Sequence, residues 1–169
     1  MELTSDIILK GPIWANTIDH LKDAFERPAF DIFILSLTIG IMYDKRIASM
    51  DNENGETKTV PRTIILAHDN GKFDTCLQAA ILSTTTVNYS EDERLQIAFG
   101  DENTFPDNEK YRKIDFLVEF ANFGVTKLYE LLDDEIIQTL DNIKDFLVSS
   151  VEDRNLEALG IDDDIFFED

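Results

Sequence analysis

Apolar residues recur at three- and four-residue spacing through most of the chain, so the pattern predicts helices rather than strands. Over 17–26, Ile18, Leu21 and Phe25 share one face, with Asn16 or Thr17 as cap and Pro28 closing the segment. Pro28 also suits the first turn of the helix predicted over 29–43, where its missing N–H costs nothing. There Phe30, Phe33, Ile34, Leu37 and Ile41 form one stripe, and Ile32, Leu35, Ile39 and Met42 cover much of the rest. A helix apolar nearly all round is a central one. Gly40 inside it gives up about 1 kcal/mol of helix propensity relative to Ala, a loss that close approach of a neighbour would explain.

The residues at 44–59 are polar and read as a long loop. A hairpin through Asn54-Gly55 is conceivable, but its flanks are too polar to hold it. Pro61 to Leu66 reads as a short helix or strand, and Asp69-Asn70-Gly71 as a turn. A helix over 73–84 carries Phe73, Leu77, Ala80 and Ile81. Ser90 and Glu93 form a capping box for the next, which Gly100 stops. The segment 101–109 reads as an acidic loop. A long helical pattern spans 110–132, with Asn122-Phe123-Gly124 as its expected break or kink. Asp133 or Asp134 caps a final helix to about 149, with Ile136, Ile137, Leu140, Ile143 and Leu147 as its stripe. The expectation is an all-α fold: one compact helical domain of six to seven helices over 1–150, around the apolar helix at 29–43, then an acidic-aromatic tail at 151–169.

Charge narrows the function. The 169 residues carry 15 Lys+Arg against 35 Asp+Glu, a net of −20. Nucleic-acid binding relies on Lys and Arg at phosphates, so neither direct nucleic-acid binding nor an anionic membrane surface is expected. The expected partner is a basic protein, of the kind that itself binds nucleic acid. The same acidity also serves solubility. From residue 130 onward there are 14 acidic and 2 basic residues, a net of −12. Asp133, Asp134, Asp141, Asp145, Glu152 and Asp153 are the candidate partner-binding acids, and helical spacing places Asp134, Asp141 and Asp145 on roughly one face. Asp162, Asp163, Asp164, Ile165, Phe166 and Phe167 form an acidic-aromatic peptide. It suits a hydrophobic pocket with a basic rim, or docks on the protein's own core. The one cysteine, Cys76, excludes an internal disulfide. The N-terminus lacks the basic start of a signal peptide and no apolar run reaches membrane-spanning length, so a soluble cytoplasmic protein is expected, its oligomeric state left open.

Candidate chemistry is sparse. His20 lies beside Asp19 and Asp23, His68 precedes a turn, and Cys76 falls on an apolar helix face, so no nucleophile–base–acid set emerges. The acidic runs match no calcium loop, and phosphate-binding glycine motifs are missing. No enzyme, no cofactor and no metal are expected. A small basic spot, Lys45 and Arg46 with Arg62, either binds an anion or pairs internally with Asp44 or Glu119.

Two resemblances add a setting. Asp162 to Ile165 and Phe167 resemble the acidic C-terminal tip of bacterial single-stranded-DNA-binding proteins, Asp-Asp-Asp-Ile-Pro-Phe, with Phe166 in place of the proline and Glu168-Asp169 added beyond. Over about 20–148, an apolar segment ending in Gly40 and leading to Lys45-Arg46 is followed by Glu119, Ala121, Asn122, Gly124 and Leu128. This order is similar to small accessory proteins of bacterial DNA phosphorothioation and phage-defence gene clusters, which carry Glu-Glu-Tyr-Ala-Asn-x-Gly-x-x-x-Leu. Phe120 stands where their Tyr is usual. The resemblance implies a non-catalytic accessory or regulatory role in phage–host DNA conflict. The alternative is a DNA mimic, whose helix carboxylates stand in for phosphates and block a DNA-binding enzyme. An acidic metal enzyme is a third, weaker reading.

Overall fold

The computed structural model describes residues 3–25 and 28–152, the side chains of 23–25 and 151–152 excepted. The expected roles of Phe25, Glu26, Glu152, Asp153, Asp162, Asp163, Asp164, Ile165, Phe166 and Phe167 therefore fall outside the described residues. The chain divides into two compact units, Met1–Glu130 and Leu131–Asp169.

In the first unit, β1 (Ile7–Lys10) and α1 (Pro12–Phe25) lead to α2 (Ala29–Tyr43). Helix α1 begins well before the expected start at residue 17. Gly11 turns the chain at φ 102°, where a Cβ would collide with the Asp51 carbonyl, and Pro12 follows as the first helical residue. Asn16 and Thr17 are thus interior positions, not caps. Trp14, unassigned by periodicity, is wholly buried and stacks on Phe33 at 6.1 Å between ring centroids.

Helix α2 has the expected bounds, with Pro28 as its extended N-cap and Asp44 in the left-handed region at its end. Phe30, Ile32, Phe33, Leu37 and Ile39 are buried, and α2 packs on α1, α4, β2 and above all α6. Its partner α6 (Lys113–Tyr129) runs without a break. Gly124 is not the expected kink. A Cβ there would collide with the Ser36 carbonyl, and one on Gly40 with the Phe120 carbonyl. Two small residues, Ser36 and Gly40, stand one turn apart on α2 opposite Gly124 on α6, so the backbones touch where side chains would hold them apart. The buried Ser36 hydroxyl donates back to the Ile32 carbonyl at 2.9 Å.

Between these helices lie β2 (Thr57–Val60), α3 (Arg62–His68), α4 (Lys72–Ser83) and α5 (Glu91–Phe99). The Ser90–Glu93 capping box forms as expected, and Gly100 ends α5. Lys113 is buried, and its Nζ donates to the Gly100 carbonyl at 2.7 Å. Asn70 and Gly71 take positive φ in the expected turn before α4.

The fold is mainly α rather than strictly all-α, because two short antiparallel pairs were not expected. Strand β1 pairs with β2, Ile7 opposite Val60 and Lys10 opposite Thr57. The end of the polar segment 44–59 is therefore a strand, though not through an Asn54-Gly55 hairpin. Its partner is contributed by residues some fifty positions earlier, and Leu9 and Val60 are buried. The acidic segment 101–109 holds β3 (Thr104–Phe105) and part of β4 (Asn108–Arg112), joined through Pro106-Asp107. Residues 110–112 are thus strand, not the first turn of α6. Phe105 anchors this hairpin. It is buried against Tyr111 and Phe116, at centroid distances of 5.1 and 5.2 Å.

In the second unit, α7 (Ile136–Glu152) follows a segment that folds back on its first turns. The Asp133 N–H donates to Thr139 Oγ1 at 2.8 Å, and Asn142 Nδ2 donates to the Leu131 carbonyl at 3.1 Å. The Asp133 carboxylate accepts the Glu135 N–H at 2.9 Å, so it orders the entry to the helix. Asp134 lies in a bend before α7.

Candidate functional site

The basic spot is used internally. Arg46 Nη1 meets Glu119 Oε2 at 3.0 Å, and Nη2 donates to the Thr86 carbonyl at 3.2 Å. Its guanidinium lies over Phe116 and Phe120, 4.9 and 5.8 Å from the ring centroids. Tyr111 is packed beside Glu119. Burial first, and then that carboxylate, push the Tyr111 phenol far above its ordinary range. Burial and the hydrogen bond to Asp107 push Tyr89 up to about 12. Of the two expected partners Arg46 takes Glu119 directly, while Asp44 accepts from the Thr84 hydroxyl and from the N–H and hydroxyl of Thr85. Partial burial pushes the Asp44 carboxyl up, but these bonds and the Arg46 charge together outweigh it and hold it below its ordinary value.

Lys45 and Arg62 do not join Arg46 in an anion site. Lys45 is exposed, with its ammonium 5.6 Å from the Phe123 centroid. Arg62 donates from Nε to the Leu3 carbonyl at 2.7 Å and from its backbone to Asp6 at 2.8 Å, which fastens the N-terminal segment to the start of α3.

Three residues of the Glu119–Leu128 motif have visible structural tasks. Glu119 holds Arg46, and Gly124 permits the α2–α6 contact. Asn122 is buried, accepts the Trp14 indole N–H at 2.9 Å and donates to the Ile47 carbonyl at 2.9 Å. The Ile47 N–H in turn donates to the Glu119 carbonyl at 2.9 Å, so the long polar segment is fastened to α6 at both groups of Ile47.

The nucleophile and base candidates lie apart in the chain's elements. His20 is half-buried in α1, His68 is exposed in the last turn of α3, and Cys76 is half-buried in α4. Burial and the nearby Asp69 push the Cys76 thiol up, the reverse of activation. Among the described residues no group of three or more His, Cys, Asp or Glu is placed to hold a metal ion, and no helix is long and apolar enough to cross a membrane.

A cleft of about 550 Å³ lies between β1 and the start of α6, bordered by Leu3, Asp6, Ile8, Lys10, Arg112 and Val118. Arg112 is already committed to Asp115, with its Nε and Nη2 on the two carboxylate oxygens at 3.1 and 2.8 Å. With Lys10 and Asp6 also on its wall, the cleft favours neither sign of charge.

The acidic candidates of the second unit are disposed differently. Asp133, Asp134, Asp141 and Asp145 are all exposed, as is Glu135, and none is in an ion pair among the described residues. Asp141 and Asp145 stand one turn apart on α7. Asp134 precedes the helix, so helical spacing cannot place it on their face, contrary to expectation. On α7 itself Thr139 and Ile143 are buried, whereas Ile137, Leu147 and Val148 are 72%, 37% and 49% exposed.

Comparison with protein-family models, curated proteins and solved structures finds no match for the chain.

Proposed function

We propose that this is a non-enzymatic binding protein that holds a basic partner protein through the acids of its second unit. The observation that carries this reading is the exposure of Asp133, Asp134, Asp141 and Asp145 without ion-pair partners among the described residues. A basic protein would meet this surface with favourable steering and would be repelled by few cations, Lys144 being the described one. The resemblance to phage-defence accessory proteins supplies the setting, an accessory or regulatory role in phage–host DNA conflict.

The test is affinity capture from the native cell followed by reconstitution with the purified partner. The reading expects a basic partner, binding that weakens steeply with salt, and at least tenfold loss in a D133N/D134N/D141N/D145N variant. Retention of full affinity by that variant overturns it.

A DNA mimic is the second reading, favoured by the two carboxylates one turn apart on an exposed helix. It expects duplex DNA to displace the protein from its partner. The first reading is preferred because Ile137 and Val148 lie exposed on the side of α7 that carries Asp141, and a phosphate mimic has no use for them.

A further inference from the structure

We propose that the partner engages α7 with an amphipathic basic helix, seated on an apolar stripe that α7 leaves open. The proposal rests on the basic-partner reading above and names the partner's recognition element. Ile137, Leu140, Lys144 and Leu147 with Val148 recur at three- and four-residue intervals, the spacing of a helix seam. Ile137, Leu147 and Val148 are exposed and Leu140 is half-buried, whereas Thr139 and Ile143 occupy the covered side. The stripe is therefore distinct from the face that α7 buries.

Asp141 and Asp145 run along one edge of the stripe, both exposed. Exposed apolar side chains edged by carboxylates fit a helix whose own apolar residues recur at the same interval and whose flanking positions carry Lys or Arg. From Ile137 to Val148 the seam is about 17 Å long, enough for about three turns of a partner helix. Lys144 interrupts the seam at its centre and asks for one acidic residue opposite, which would fix register. A second copy of this chain is a poor occupant. The segment from residue 130 onward carries a net of −12, and two such segments repel.

The test uses the full chain and two synthetic peptides of one composition, eighteen residues of Leu and Lys with one Glu. The first places Leu at heptad seam positions with Glu at its centre, and the second distributes the same residues around the helix. The heptad peptide should bind at least tenfold more tightly than its isomer. I137S/V148S should remove that advantage without weakening the isomer, I137L/V148L should keep it, and circular dichroism should report unchanged helix in both variants.

Equal affinity for the two peptides, or an advantage that survives I137S/V148S, overturns the proposal. If both peptides bind alike and D141N/D145N weakens both, the acidic-surface reading stands while the helix proposal falls. If neither peptide binds, both fall. A dimer that I137S/V148S dissociates would make a second copy the occupant, and a tenfold gain in peptide affinity on removing residues 153–169 would make the chain's own end the occupant. Either result overturns the proposal.

Discussion

Helices α6 and α7 are both seventeen residues long and both carry an apolar face, yet they have opposite fates. In α6, Phe116, Leu117, Phe120, Ala121, Val125 and Leu128 are all wholly buried. In α7, Ile143 is buried while Ile137, Leu147 and Val148 stay exposed. Amphipathic pattern alone does not separate them. Helix α6 meets α2 backbone to backbone at Gly124, and Glu119 and Asn122 make fixed polar contacts within the two turns before it. The difference teaches that an amphipathic pattern does not by itself secure burial: α6 is covered along its apolar face, whereas α7 leaves Ile137, Leu147 and Val148 exposed beside carboxylates that make no ion pair among the described residues.

The comparison breaks most sharply at the crossing. Gly124→Leu should prevent folding. Gly124→Ala should cost more than the roughly 1–3 kcal/mol of ordinary overpacking, because the obstacle is the Ser36 backbone rather than a side chain that can turn aside. Chemical denaturation measures this, and a Gly124→Ala midpoint equal to wild type would refute the close-packed account.

Asn122→Ala is next. It strands the wholly buried Trp14 indole N–H and frees the Ile47 carbonyl, for about 2–4 kcal/mol. Asn122→Asp, which keeps the acceptor and loses the donor, should fall between. An Ala variant within 0.5 kcal/mol of wild type, on the scale of a surface change, would count against this account.

Arg46→Met should cost about 1–2 kcal/mol, discounted because both members of the Arg46–Glu119 pair retain some solvent access. Arg46→Lys should recover little, since an ammonium keeps the charge but loses the fork and the stacking on Phe116 and Phe120. Full recovery by Lys would show that charge alone matters there.

Asp44 gives a smaller effect with a definite pH window. Its folded-state pKa is lowered from 3.8, so its contribution is present above that value and lost as pH falls through the lower folded value. Asp44→Asn should therefore be less stable than wild type at pH 7, and the gap should begin to shrink as pH falls below about 3.8 and close below the lower folded value. A gap independent of pH would remove ionisation from the explanation.

The smallest effect belongs to α7. Ile137→Ser should change stability by no more than about 0.5 kcal/mol, as for other exposed positions. A loss of 2 kcal/mol or more, the cost of a buried apolar side chain, would mean that the residue serves packing and is not held ready for a partner.

Much of the helical outline is legible locally. Pro28, Asp69-Asn70-Gly71, the Ser90–Glu93 box and Gly100 sit where the backbone needs them, because caps and turns are settled by neighbours within a few residues. Gly40 also announced a close approach. Gly124 did not. A glycine within an apolar helical pattern reads equally as a break or a contact, and only the opposing Ser36 decides between them. The Phe105 hairpin was hidden by the acids around it, although Pro106-Asp107 between Phe105 and Tyr111 was a usable turn signal. At the candidate site, Glu119 was visible as a partner for Arg46, but Asp44 lies only two residues from it, and packing chose the partner 73 positions away.

By itself the sequence determined the helical periods, most helix ends, the charge and its concentration beyond residue 130, because these depend on composition and on contacts within a turn or two. The tertiary structure decided the β1–β2 pairing across some fifty residues, the α2–α6 crossing, the burial of Trp14 and the partner of Arg46. These outcomes depend on surfaces from distant parts of the chain meeting, and no local pattern records which surfaces meet.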